Sequence, residues 1–293
     1  MAPVTGATSG AAEPELRAGH GRTPLPVRVT TPTARRIRPR DVFGTLPMAT
    51  VLALRDFQSR YKQSLLGPIW LIVQPLTMLA GFTIVFGSVA KVGTEGIPYA
   101  LFAVVGIAVW TTFQSSVLYG TRSIVANKGI LSSMPVPRLS FISGTMLGTL
   151  PQFVFMVVLA IAAVPVAGRS LGPQLLLLPL CSLWLFALLY AIIMPLAAWH
   201  TRYRDVGSVV PFMFQAGLFL SPIAYPLSQV PEGLRTIMEL NPLSGVVEAW
   251  RYALLGSEPS LLALASAAVW TLLLLVGGWT IFSRAEPRFA DVV

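Results

Sequence analysis

Charge is what this chain has least of. Only 11% of its 293 residues are Asp, Glu, Lys or Arg, against roughly 25% in soluble domains, and the acidic side is the thinner, with 12 acids to 21 bases. Two histidines and a single cysteine extend the shortage. One cysteine excludes an internal disulfide and a cysteine metal cluster, so Cys181, inside an apolar run, is expected to pack as a small hydrophobe. No HExxH, paired carboxylates or Ser/His/Asp set can be assembled near an apolar run, which argues against a membrane hydrolase or transferase. The chain also lacks G-x-x-x-x-G-K-[ST], and its only lysines are Lys62, Lys91 and Lys128. It therefore holds no ATP on a phosphate loop of its own. The expectation is a chain with no catalytic residue, no metal and no cofactor.

What the chain has instead is apolar length: 54% hydrophobic residues and a mean hydropathy of +0.70. A helix crossing a hydrocarbon core of about 30 Å needs roughly 20 residues. Six uncharged runs meet that length, at about 65–90, 96–121, 139–168, 170–201, 206–231 and 259–283. These predict an all-α integral membrane protein with six transmembrane helices. Ion-coupled transport needs ionisable groups at membrane depth, each costly there, and these runs hold none at depth, the fourth ending on the lone loop histidine, His200. A proton or sodium relay is thereby disfavoured.

Lys and Arg fall on one side. Seventeen of the 21 lie in the N-terminal segment through Lys62, the second and fourth connections and the C-terminus. The opposite connections hold only Lys91, Arg169, Arg235 and Arg251. Cytoplasmic flanks carry this excess, so both termini are expected to be cytoplasmic. The net charge of +9 and the ARRIRPR run at 34–40 fit anionic lipid beside a membrane, not nucleic acid. Residues 1–43, rich in Pro, Gly, Thr and Ala with no signal-peptide core, read as an uncleaved, disordered cytoplasmic tail.

Residues 44–63 read as an amphipathic interface helix. Val51, Leu54, Phe57 and Tyr61 project to one side and Asp56, Ser59 and Arg60 to the other, with Asp56 and Arg60 spaced for an ion pair. Gly67-Pro68 supplies a bend, and Trp70 suits headgroup depth. From residues alone, a helix that merely anchors the first span stays open. The runs carry Pro75, Pro151, Pro165, Pro179, Pro195, Pro211, Pro222 and Pro226, breaks that membranes tolerate where neighbours or a wet cavity satisfy the freed carbonyls. In FLSPIAYPLSQVPEG the fifth run is expected to kink or break near its outer end. Residues 232–256 then predict two short helices dipping into the outer leaflet, hinged at Asn241-Pro242, with a surface hairpin as the alternative.

The segment RDFQSRYKQSLLGPIWLIVQPL at 55–76 and NPLSGVVEAWRYALLG at 241–256 resemble permease subunits of ABC-2 type exporters, particularly those for lipid-linked polysaccharides such as O-antigen, teichoic acid and galactan. The resemblance runs in order from about residue 42 to 290, taking in a transmembrane domain at about 64–290, and leaves out only the N-terminal tail. It implies a bacterial cytoplasmic-membrane homodimer joined to two copies of a separate ABC ATPase, which bind ATP and Mg, with a lipid-linked glycan as substrate and no nucleic acid. It implies ATPase coupling through the interface helix, with Arg55 and Arg60, and through a coupling loop at 121–138, with Ser123, Lys128, Ile130 and Leu131 in a short helix stopped by Pro135 and Pro137. HTRYRD would be a second contact or a basic collar. It also implies a channel between subunits along the first and fifth spans, with Phe82, Phe86, Phe212, Phe214, Phe219 and Tyr225 as lining candidates. An external gate would involve Asn241, Pro242, Glu248 and Arg251. Two other readings remain, an ABC-2 exporter of a small hydrophobic drug or antibiotic and an energy-independent channel or scramblase.

Overall fold

The computed structural model describes residues 44–62, 64–133 and 136–289. The expected tail at 1–43, the Tyr61 ring and the Pro135 stop lie outside the described residues. Among the described residues there are ten α-helices and no strand, an all-α integral membrane architecture. Helix α1 is Leu46–Tyr61, α2 Trp70–Phe82, α3 Tyr99–Ala126, α4 Lys128–Ser133 and α5 Leu139–Val166. Helix α6 is Leu178–Arg202, α7 Val206–Leu220, α8 Glu232–Glu239, α9 Pro242–Leu255 and α10 Leu261–Ala285.

Five stretches are long and apolar enough to cross a membrane: Gly67–Val89, Tyr99–Ala126, Leu139–Val166, Pro173–Arg202 and Leu261–Ala285. The first begins with a turn at Gly67, whose φ of +52° is open to glycine, and ends in a π-helical turn at Thr83–Val89. The run at 206–231 differs. Its helix, α7, has 15 residues, about 22 Å at the α-helical rise, short of the hydrocarbon thickness. Ser221 is extended, and Pro222 and Pro226 bring no N–H to continue the ladder.

Helix α3 is the hub. It packs against α2, α5, α6, α7 and α9, and 78% of its apolar window is buried within the protein. Helix α10 lies against α6 and α9. Gly245 makes the α9 approach possible, because a Cβ there would sit 2.2 Å from the Ala263 carbonyl oxygen. The two halves of the expected external hairpin have different surroundings. Helix α8 is a surface helix, whereas in α9 every residue from Leu243 to Leu255 except Tyr252 is buried.

Helix α1 lies along α5 through its small residues and Leu52, and leaves Val51 and Leu54 outward. Ala49, Leu52 and Ala53 are buried, while Val51 and Leu54 are about 60% exposed. The reason is steric: at Gly144 of α5 an added Cβ would meet the Leu52 Cβ at 2.9 Å and the Ala49 carbonyl at 3.1 Å. Small residues let helices close together, and the larger apolar side chains are left outward. The expected Asp56–Arg60 pair does not form. Asp56 takes Arg55 at 2.8 Å, and the Arg60 guanidinium lies 3.7 Å from the centre of the Tyr119 ring.

Candidate functional site

Where α7 stops, its last carbonyls lose their helical partners, and a chain at membrane depth must satisfy them from its own side chains. Two side chains do so, and two more serve the segment that follows. The Tyr225 hydroxyl donates to the Phe219 carbonyl, Asn241 Nδ2 to the Leu220 carbonyl at 3.1 Å, Arg251 Nη2 to the Ile223 carbonyl at 3.0 Å and the Tyr99 hydroxyl to the Ala224 carbonyl at 2.7 Å. Residues 221–224 are all buried.

Asn241 serves both neighbours. Its Oδ1 accepts from the Leu243 N–H at 3.0 Å as the N-cap of α9, with Pro242 in the first turn, where a missing N–H costs nothing. Its Nδ2 also reaches Ser221 Oγ at 2.9 Å. One turn before the end of α9, Arg251 is 1% exposed, pairs with Glu248 at 3.4 Å and lies with its guanidinium 3.7 Å over the Phe102 ring. Burial pushes the Glu248 carboxyl up while Arg251 pulls it back. The same burial brings Arg251 down to about 10, which leaves it charged at neutral pH. Gly106 of α3 leaves the room: a Cβ there would meet the Ile223 carbonyl oxygen at 2.7 Å and Arg251 Nη2 at 3.2 Å. The pair forms within one chain, and both groups face a cavity of about 120 Å³ that Glu95 and Glu258 also line.

The six aromatic candidates separate. Phe212 and Phe219 stand out from α7, 70% and 62% exposed. Phe82 and Phe86 are half-buried and packed edge to face with centroids 5.5 Å apart. Phe214 points inward, edge-on to Trp110 at 5.9 Å and Phe113 at 6.0 Å. Tyr225 is engaged with its hydroxyl as above. Neither of these last two is an open lining surface.

At the other end, Arg55 donates to Asn127 Oδ1, which joins α1 to the turn between α3 and α4. Asn127 Nδ2 in turn donates to the Ser123 carbonyl at 2.7 Å. Ser123 is buried, its hydroxyl on the Gly120 carbonyl, and Leu131 is buried in the core. These two offer nothing to a partner. Lys128 is exposed and Ile130 half-buried. The loop after α6 is drawn to the same end, with Arg122 Nη2 on the Gly207 carbonyl at 2.7 Å.

Between these two ends lies a cavity of about 380 Å³ walled by α1, α2, α3 and α5, with Gln74, Gln114 and Gln152 in its lining. These amides are neutral, so the absence of charge in the apolar runs does not mark them. The six runs hold six glutamines, and the fold brings Gln74, Gln114 and Gln152 to one cavity.

Residues 49–255 match the family described as ABC-2 type transporter. The chain is similar to the O-antigen export system permease protein RfbA of Klebsiella pneumoniae, 25% identical over 248 residues covering 84% of this chain and 95% of that one. It is also similar to the protein of the same name from Myxococcus xanthus, 25% identical over 261 residues covering 87% and 98%. The polysialic acid transport protein KpsM of Escherichia coli is 26% identical over 247 residues covering 80% and 92%.

Proposed function

The chain belongs to the ABC-2 type transporter family, and from that premise we propose that it is the transmembrane subunit of an ATP-driven exporter moving a polysaccharide, carried on a lipid, across the cytoplasmic membrane. The observation that carries this reading is its similarity along nearly their whole length to permeases named for O-antigen and for polysialic acid. Two polymers of different kind at similar identity make the polysaccharide the shared element, and leave the particular glycan open.

The working unit in this reading is two copies of the chain with two separate ATPase subunits, both termini of each chain cytoplasmic. Along Gly67–Val89 only Pro75 is buried, and α7 exposes Val209, Phe212, Met213 and Phe219. The second copy is assigned to these surfaces, and the polymer path to the space between copies, with Phe212 and Phe219 as the aromatic surface along it. A flat ring faces the C–H surface of a pyranose without fixing it in place. The capped break after α7, held by Asn241 and by Glu248 with Arg251, is the outer closure of that path. The α3–α4 turn with Lys128 is the docking point for the ATPase.

The test is ATP turnover. The purified chain alone is expected to hydrolyse no ATP, and the complex with a cognate ATPase to hydrolyse it at a rate that rises with the lipid-linked glycan. Hydrolysis by the isolated chain, or failure of any ATPase from the same cells to copurify with it, would contradict the reading.

A further inference from the structure

The cavity between α1, α2, α3 and α5 brings together three carboxamides from three helices, Gln74 on α2, Gln114 on α3 and Gln152 on α5. Among the described residues none of the three side chains has a hydrogen-bond partner. The Ser115 and Thr149 hydroxyls in the same wall do, each bonded to a carbonyl of its own helix. Gln114 lies about 12 Å along the helix from Arg122 at the 1.5 Å rise per residue, and Gln152 is midway along α5. Gln74 is exposed and Gln114 and Gln152 are half-buried, so the three amides stand open to the cavity and offer it donors and acceptors.

The wall also says what kind of thing. Each carboxamide both donates and accepts, as a sugar hydroxyl does. Trp70 and Tyr119 add two flat rings, suited to the C–H face of a pyranose. Among the described residues Arg60 is the only charged one in the lining, with its guanidinium over Tyr119. The volume falls within the roughly 300–1,000 Å³ of small-molecule sites. We propose that this cavity binds a sugar unit of the polymer before it enters the path between subunits. The proposal rests on the export reading above and adds the place where the glycan is first held.

A single thiol reads the cavity without reading export. Cys181, the one native cysteine, is replaced (Cys181→Ser) and Gln114→Cys introduced, with Gln58→Cys on the exposed side of α1 as control. Inside-out vesicles are prepared from cells making the glycan, with export arrested by withholding ATP, and from cells lacking the transferase that adds its first sugar. A membrane-impermeant maleimide is expected to label Gln114→Cys without glycan and to label it about tenfold more slowly with glycan, the ratio of a modest binding equilibrium, while Gln58→Cys is unchanged. Equal labelling in both vesicles makes the cavity a water-filled vestibule, and no labelling in either makes it lipid-filled or closed. Each overturns the proposal. The double variant Gln114→Leu/Gln152→Leu, at normal membrane abundance, is expected to lose most export, and full export by it also overturns the proposal. Failure of the export reading is told apart by deletion: surface polysaccharide that persists without the chain rejects export, whatever the labelling shows.

Discussion

Arg251→Ala removes about 3–5 kcal/mol of stability, the cost of breaking a buried ion pair from one side. It leaves Glu248 buried without its cation and strips the Ile223 carbonyl of its donor. Glu248→Ala leaves the guanidinium on that carbonyl and over Phe102 and costs less. Glu248→Ala/Arg251→Ala costs less than the sum of the two, because no unpaired charge remains. Heat-induced aggregation of the detergent-solubilised chain gives the order of the three. Surface polysaccharide is then compared in the double variant, where abundance permits it, and export there is expected to fall, because the segment after α7 has lost a clamp. Arg251→Ala with wild-type melting and wild-type export would remove the pair from both the fold and the closure.

The second large effect separates docking from folding on a helix of six residues. Leu131 is a core side chain, so Leu131→Asp is expected to destabilise the chain by at least the roughly 2–5 kcal/mol of emptying a buried leucine site, and to lower its membrane level. Lys128 is exposed and Ile130 half-buried on the same helix. Lys128→Glu/Ile130→Glu is therefore expected to leave membrane level intact and reduce the ATPase recovered with the chain about tenfold, equivalent to roughly 1.4 kcal/mol of contact. Pull-down yield and permease abundance measured on the same membranes check both. If the double variant retains wild-type ATPase, this turn is not the docking element, and the α1 face carrying Arg55 becomes the next surface to change.

The spans were legible because hydrocarbon imposes one strong rule, about 20 apolar residues per crossing, and five runs obey it to within a few residues. The same rule overran α7, because residues 221–231 are apolar enough to count yet cannot be helical through Pro222 and Pro226. For α1 hydrophobicity alone did not show which residues meet α5. Contact with α5 is chosen by Gly144 and the small residues facing it, a steric signal spread over two helices 90 residues apart. Glu248 and Arg251 showed their spacing but not their depth. The sequence places charges near α9, and only the fold shows α3 opening at Gly106 to admit them. Tyr99 escaped notice for a similar reason, since its partner is the carbonyl of Ala224 in a distant segment. The coupling residues on α4 divide by helical phase: Leu131 faces inward while Lys128 faces out, and six residues are too few to fix that phase from pattern alone.

The most direct measurement of the central claim is surface polysaccharide in the chain's own cells after its depletion, with lipid-linked glycan quantified in the same cultures. The account predicts that surface polymer is lost while lipid-linked glycan accumulates on the inner side of the cytoplasmic membrane, and that re-expressing the wild-type chain restores both. Unchanged surface polymer, or its loss without internal accumulation, would contradict it.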